Sequence, residues 1–187
     1  MRHDSRGFTL VETFIVAVFA ALMMVTLGLL IYTFNKTSGY ELAASQSSGS
    51  ASAILREVEA LSLPADAVLQ SHTFTTGTYT SSSTALVLEI PSVDSSGAIV
   101  SNAYDYAVFY VSSTTLYRRL EANASSVRGT GTKQLSTTVN ALTFTYNNAD
   151  FTQVNTVTVD VQTQSVVKQY NLTLTDHRKE QIVLRNN

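Results

Sequence analysis

Glu12 is the residue whose surroundings ask for chemistry. It follows a short basic segment containing Arg2 and Arg6, then Gly7, and lies at the leading edge of a run from Thr13 to Asn35 with no charged residue. A carboxylate at mid-bilayer costs on the order of 2.5–3.5 kcal/mol on insertion scales and less near the interface, so an acid in this place calls for compensation.

Other reactive sets are sparse. His3 lies ahead of Gly7, and neither His72 nor His177 belongs to a His-Glu-x-x-His pattern, so both read as surface or loop histidines. The abundant serines form no Gly-x-Ser-x-Gly elbow. Arg128-Gly129-Thr130-Gly131-Thr132-Lys133 has the wrong spacing for a phosphate cradle and reads as a mobile β-loop. Asp94-Ser95-Ser96-Gly97 offers oxygen ligands to calcium but lacks the spaced acids of a strong site, and reads as a turn. The chain has no cysteine, hence no disulfide framework and no thiolate metal site. No enzyme activity and no cofactor are expected.

Arg118, Arg119, Arg128 and Lys133, with Tyr117 beside them, are a candidate binding patch for single-stranded nucleic acid. The plainer reading is one solvated edge, with Glu121 as a partner. Twelve Lys and Arg stand against 14 Asp and Glu, a formal charge of -2, which gives no general drive toward nucleic acid.

These residues need elements to hold them. The uncharged run exceeds the roughly 20 apolar residues that a helix needs to cross a hydrocarbon core of about 30 Å. It is apolar all round, has no proline, and contains Gly28 as the one residue that would loosen it. Arg2 and Arg6 place the N-terminus in the cytoplasm and the rest beyond Tyr32 outside. No Ala-x-Ala site follows the run, as an ordinary signal peptide would require.

The polar leader Met1 to Arg6, the Gly7-Phe8 junction and Thr9-Leu10-Val11-Glu12 ahead of the apolar run resemble the class III leader of type IV pilins and of type II secretion pseudopilins. The resemblance implies cleavage between Gly7 and Phe8 by a membrane-embedded prepilin peptidase, methylation of the new Phe8 amine, and retention of the helix. It also implies partners: an inner-membrane assembly platform, and other pilins in a helical filament. Given that cleavage, a positive amine on Phe8 and an acid four residues later can pair between neighbouring subunits, which assigns Glu12 to assembly. Loss of the leader takes Lys and Arg from 12 to 10 and Asp and Glu from 14 to 13, hence the balance from -2 to -3.

Residues 1–7 are thus the leader and 8–35 the transmembrane and assembly helix. Over 36–63 an amphipathic half is expected, with Ala51, Ile54, Leu55, Val58 and Leu61 on one face and Arg56, Glu57 and Glu59 between them. Ser45 to Ser50 weaken it or form a flexible joint, and Leu63-Pro64 ends it. Residues 64–187 form a β-rich globular domain, with strands predicted at Ala85 to Ile90, Tyr104 to Val111, Thr115 to Glu121, Ala141 to Tyr146, Val154 to Val161 and Lys168 to Thr175. Leu142, Phe144 and Tyr146 share one face, as do Val157, Val159 and Val161, and Tyr170, Leu172 and Leu174. Loops as short as Ser112-Ser113-Thr114 imply hairpins.

The expected fold is α+β: a long N-terminal helix packed on a mainly antiparallel sheet, as in pilins. Val108 to Val111, Leu116 to Arg119 and Ile182 to Asn186 look like the PulJ-type minor pseudopilins. That resemblance implies a structural subunit of a type IV pilus or secretion pseudopilus. It would sit first in the inner membrane as a single-pass protein and later in a filament at the cell surface. The alternative is an adhesin or DNA-uptake receptor that the helix merely delivers.

Overall fold

An uninterrupted α-helix, α1 (Leu10–Ser62), opens the chain in the computed structural model, which describes residues 9–184. Two compact units divide the protein, and the boundary falls inside this helix, between Leu42 and Ala43.

In the second unit α1 buries Ala43, Ser47, Ala51, Ile54, Leu55, Val58 and Ser62, a row stepping by threes and fours as one helix face does. The serine-rich stretch expected as a weak point is helical throughout. Its small residues are used for close approach. Ser47 is buried and its Oγ lies 2.9 Å from Thr163 Oγ1, while the Thr163 hydroxyl donates to the Ser47 carbonyl at 2.8 Å. On the next residue, Arg178 donates to Ser48 Oγ at 2.7 Å. A larger side chain at Ser47 would hold the helix off the strand that carries Thr163.

Among the described residues ten strands follow: β1 (Ala67–Val68), β2 (Ser71–Phe74), β3 (Gly77–Thr80), β4 (Ala85–Val93), β5 (Ile99–Ser112), β6 (Thr115–Glu121), β7 (Gly131–Ser136), β8 (Val139–Tyr146), β9 (Thr156–Val167) and β10 (Leu172–Val183). They form a five-stranded sheet in the order β1-β4-β5-β6-β7, a three-stranded sheet β10-β9-β8, and the hairpin β2-β3. Every pairing between them is antiparallel. The α+β arrangement expected from the sequence is therefore present.

Strand alternation decides where each sheet packs. Leu86, Leu88 and Ile90 of β4, Phe109 of β5 and Leu116 and Leu120 of β6 join Ile54, Leu55 and Val58 of α1 in the main core. The three-stranded sheet contributes Leu142, Phe144, Val157, Val159 and Val161 to the same cluster. Odd-numbered Val87 points the opposite way and meets Val108 and Phe74 in a second, smaller core under the β2-β3 hairpin. The five-stranded sheet is thus covered on both faces.

Several expectations are corrected. The hairpin β2-β3, the short β1 and the edge strand β7 were not anticipated from the sequence pattern. Gly131 to Lys133 belong to β7 rather than to a mobile loop, because Gly131 and Lys133 pair with Leu120 and Arg118. Lys168–Tyr170 form a 3-10 turn, closed by Asn171 in the left-handed region at φ 48°, so the last strand begins only at Leu172 and runs on to Val183. Leu172 and Leu174 do share the inner face, but half-buried. β4 continues past Ile90 through Pro91, which is tolerated because β1 pairs only with Leu88 and Glu89 and leaves that side of Pro91 unpaired.

Ser47→Leu is expected to lower the stability of the full chain in detergent by about 1–3 kcal/mol, through overpacking against Thr163. Ser45→Leu, at an exposed position one residue pair away, should stay within about 0.5 kcal/mol. Urea unfolding followed by circular dichroism checks both.

Candidate assembly element

The helix begins where its first backbone donors find partners. Thr9 precedes Leu10 and Glu12 stands three residues on, the Thr-x-x-Glu spacing of a capping box. The box is closed in both directions. Glu12 Oε2 accepts from the Thr9 amide at 2.9 Å and from the Thr9 hydroxyl at 3.0 Å, and the Glu12 amide donates back to Thr9 Oγ1 at 3.3 Å. Sequence reasoning singled out Glu12 for its charge and passed over Thr9, although the four-residue pattern was there to be read.

Behind the box, α1 is long and apolar enough to cross a membrane, and none of its most apolar window is buried within the protein. Leu10, Phe14, Phe19, Leu22, Met24, Leu30 and Phe34 all present more than half of their surface. The threonine hydroxyls in the run are turned back onto the helix itself. Thr13 donates to the Leu10 carbonyl at 3.0 Å, Thr26 to the Met23 carbonyl at 2.9 Å and Thr33 to the Leu29 carbonyl at 2.8 Å. Such back-bonding lets a hydroxyl sit in hydrocarbon without an unsatisfied donor. The helix passes through Gly28 without a break. Gly7 and Phe8, the expected cleavage and methylation positions, lie outside the described residues.

The candidate basic residues do not share one face. Arg118 shares the face of Leu116 and Leu120 and pairs with Glu57 of α1, whose second oxygen takes Lys133 at 3.1 Å. Arg119 points to the opposite face and donates to Thr75 and Thr132. Tyr117 stacks on Tyr110 with centroids 5.5 Å apart, so one ring face is taken. Neither arginine on β6 pairs with Glu121. What looked like one cationic surface is a set of fasteners between α1, the sheet and the hairpin.

Arg128 belongs to a different structure altogether. It donates to Asp105 Oδ2 and to the Pro91 carbonyl, at 2.7 and 2.8 Å. The Asp105 side chain is wholly inaccessible and also accepts from Ser92 Oγ, Ser126 Oγ and the Asn123 amide at 2.7, 2.7 and 2.8 Å. Burial alone would raise its pKa. The hydrogen bonds from Arg128, Ser126, Asn123 and Ser92 outweigh burial and hold it below the ordinary carboxylate value. The network pins the segment between β6 and β7 onto β4 and β5. A buried aspartate inside a tyrosine-rich strand gives no periodic signal, so sequence reasoning missed it.

The remaining candidates are structural in their contacts. His72 lies in β2, not in a loop, stacked on Tyr106 with centroids 3.7 Å apart. Burial lowers its pKa, against the opposing pull of Glu121 and Glu89. His177, exposed on β10, has Nε2 2.6 Å from Asp160 Oδ1. Asp94 Oδ1 accepts from the Ser96 amide, the Ser96 hydroxyl and the Ala98 amide, a turn that closes on its own carboxylate and lowers its pKa. No group of three or more acids or histidines placed to hold a metal occurs among the described residues.

No family model matches the chain, and a search of curated proteins finds no match either. The chemistry of the element must therefore be read from its own residues: a carboxylate held at the head of an exposed, uncharged run of helix.

Asp105→Ala should cost about 3–5 kcal/mol, because it leaves Arg128 without its buried partner. The pH dependence follows from the lowered pKa. The contribution is fully present above about pH 3.9, the unfolded aspartate value, and is lost as pH falls through the lower folded value. Acid titration of wild type and variant, with unfolding measured at each pH, should show the two curves converging at the acid end.

Proposed function

We propose that this protein is a structural subunit of the pilin and pseudopilin kind, a minor pilin that is cut after Gly7, held in the inner membrane by α1 and then drawn into a helical filament. The observation that carries this reading is the state of α1. Its uncharged run from Thr13 to Asn35 is exposed along its whole length, with an acid at its head, and the same helix from Ala43 onward forms the core of a globular unit. At 1.5 Å per residue the run spans about 35 Å, matched to a hydrocarbon core of about 30 Å.

In this reading the globular unit is outside and the N-terminus cytoplasmic. Lipid covers the exposed run before extraction, and helices of neighbouring subunits cover it afterward. Glu12 meets the Phe8 amine of a neighbour and sets the axial register of the packed helices. Peptidase, motor and platform are other proteins, and this subunit contributes no catalysis. The alternative of a nucleic-acid receptor loses its main support, since Arg118, Arg128 and Lys133 are engaged by carboxylates within the chain.

Intact-mass measurement on membrane-extracted protein should find an N-terminus at Phe8. An unprocessed Met1, or a cut beyond Tyr32, would defeat the reading. Glu12→Ala should be processed normally yet fall out of the filament fraction at least about tenfold, the effect of losing on the order of 1.4 kcal/mol per contact.

A further inference from the structure

β10 ends the three-stranded sheet in the order β10-β9-β8, so one of its sides has no strand beside it among the described residues. At its far end the Leu184 amide donates to the Asn155 carbonyl at 2.8 Å and continues the ladder with β9. Backbone groups alternate in direction along an antiparallel strand, so the even-numbered residues of β10 turn theirs toward β9 and the odd-numbered residues turn theirs away. Thr173, Thr175, His177, Lys179, Gln181 and Val183 thus hold out a row of amides and carbonyls along a strand of 12 residues with no break in register. Such a row is a template for another strand.

Charge decides which strand fits. The run Asp176-His177-Arg178-Lys179-Glu180 crosses the middle of β10, with uncharged residues on both sides. A second β10 laid antiparallel on the first, with His177 facing His177, sets Asp176 opposite Arg178 twice and Leu172 opposite Ile182. Thr175 then faces Lys179, Leu174 faces Glu180, and no two formal charges of one sign meet. A centre at Asp176, Arg178, Lys179 or Glu180 puts that charge opposite its own copy, and centres further out pair no charges. Opposite charges across strands stabilise a sheet, and like charges do the reverse. Asp176 and Arg178 already touch on one face, Nε to Oδ2 at 2.8 Å, so the pairing joins two such pairs into a ring of four charges. Charges on an edge can serve only to keep strands away. Here their order along the strand is complementary to itself.

We propose that the free side of β10 binds the β10 strand of a second copy of this protein, antiparallel about a twofold axis at His177. An axis normal to the sheet reverses every direction in the plane of the sheet, and with it the segment of α1 from Ala43 to Ser62 that packs along the strands. Given the membrane reading of α1 above, the two copies belong to opposed filaments or membranes and not to one. The pairing itself does not depend on that reading.

The chain has no cysteine, so introduced ones report the register. In full-length protein in detergent, His177→Cys should give a disulfide-linked dimer under mild oxidation, because Cα atoms of directly opposed residues lie about 5.5 Å apart. Thr173→Cys and Gln181→Cys should link only when the two variants are mixed. Thr175→Glu, which adds two pairs with Lys179, should tighten the dimer measured by sedimentation about fivefold, and Thr175→Lys should weaken it by about the same factor. Thr175 is exposed, and circular dichroism checks that both variants fold. Linkage of Thr173→Cys alone as readily as His177→Cys, or a shift of the same sign for both charge variants, would overturn the proposal. So would a monomeric wild type, or a dimer indifferent to Thr175, which would be held through α1. None of these outcomes touches the mature N-terminus at Phe8, on which the membrane and filament reading is tested separately.

Discussion

A helix in hydrocarbon must satisfy every one of its own polar groups, and the apolar run of α1 is built as such a helix requires. The interior of α1 meets it through its backbone ladder, and Thr13, Thr26 and Thr33 fold their hydroxyls back onto carbonyls of the preceding turn. The N-terminal end is the hard part, because the first turn has no preceding carbonyls to donate to. The Thr9–Glu12 box supplies acceptors there. An acid that looks out of place by charge is in place by hydrogen bonding.

From Ala43 onward the demands on the same helix reverse: one face must be small and flat enough for strands to lie on it. Ala43, Ser47 and Ala51 provide the flatness, and Ile54, Leu55 and Val58 provide the apolar surface. Glu57, on the flank of that face, takes both Arg118 and Lys133 and so ties the last two strands of the five-stranded sheet to the helix. Arg118 is half-buried there, where a charge left unpaired is costly.

Much of this was legible in the sequence. The apolar run, the periodicity of Ala51 to Leu61 and the alternation of Leu142 to Tyr146 and Val157 to Val161 each carry their period openly, and α1, β8 and β9 are where those periods place them. β6 coincides with its predicted span. What failed to show was set by partners far along the chain. Ser45 to Ser50 read as weak because the strand residue that meets Ser47 lies 116 positions away. Four-residue strands, such as β2 and β3, are too short for alternation to register. The basic residues grouped by number in the sequence, yet β6 sends Arg118 and Arg119 to opposite faces. A lone buried Asp105 can be recognised only once the loop that covers it is known.

The small core beneath the β2-β3 hairpin divides the globular unit into a part that is fixed and a part that is free to change. Phe74 alone of the hairpin is fully buried, with Val87 and Val108, while Thr73, Thr75, Thr78 and Thr80 are exposed and belong to neither core. Lengthening or recolouring that ribbon leaves the packing of α1 against the sheet as it is. Variation in what the protein displays can therefore accumulate on the hairpin, while the seam of Ser47 with Thr163 and the Asp105 cluster keep the frame constant.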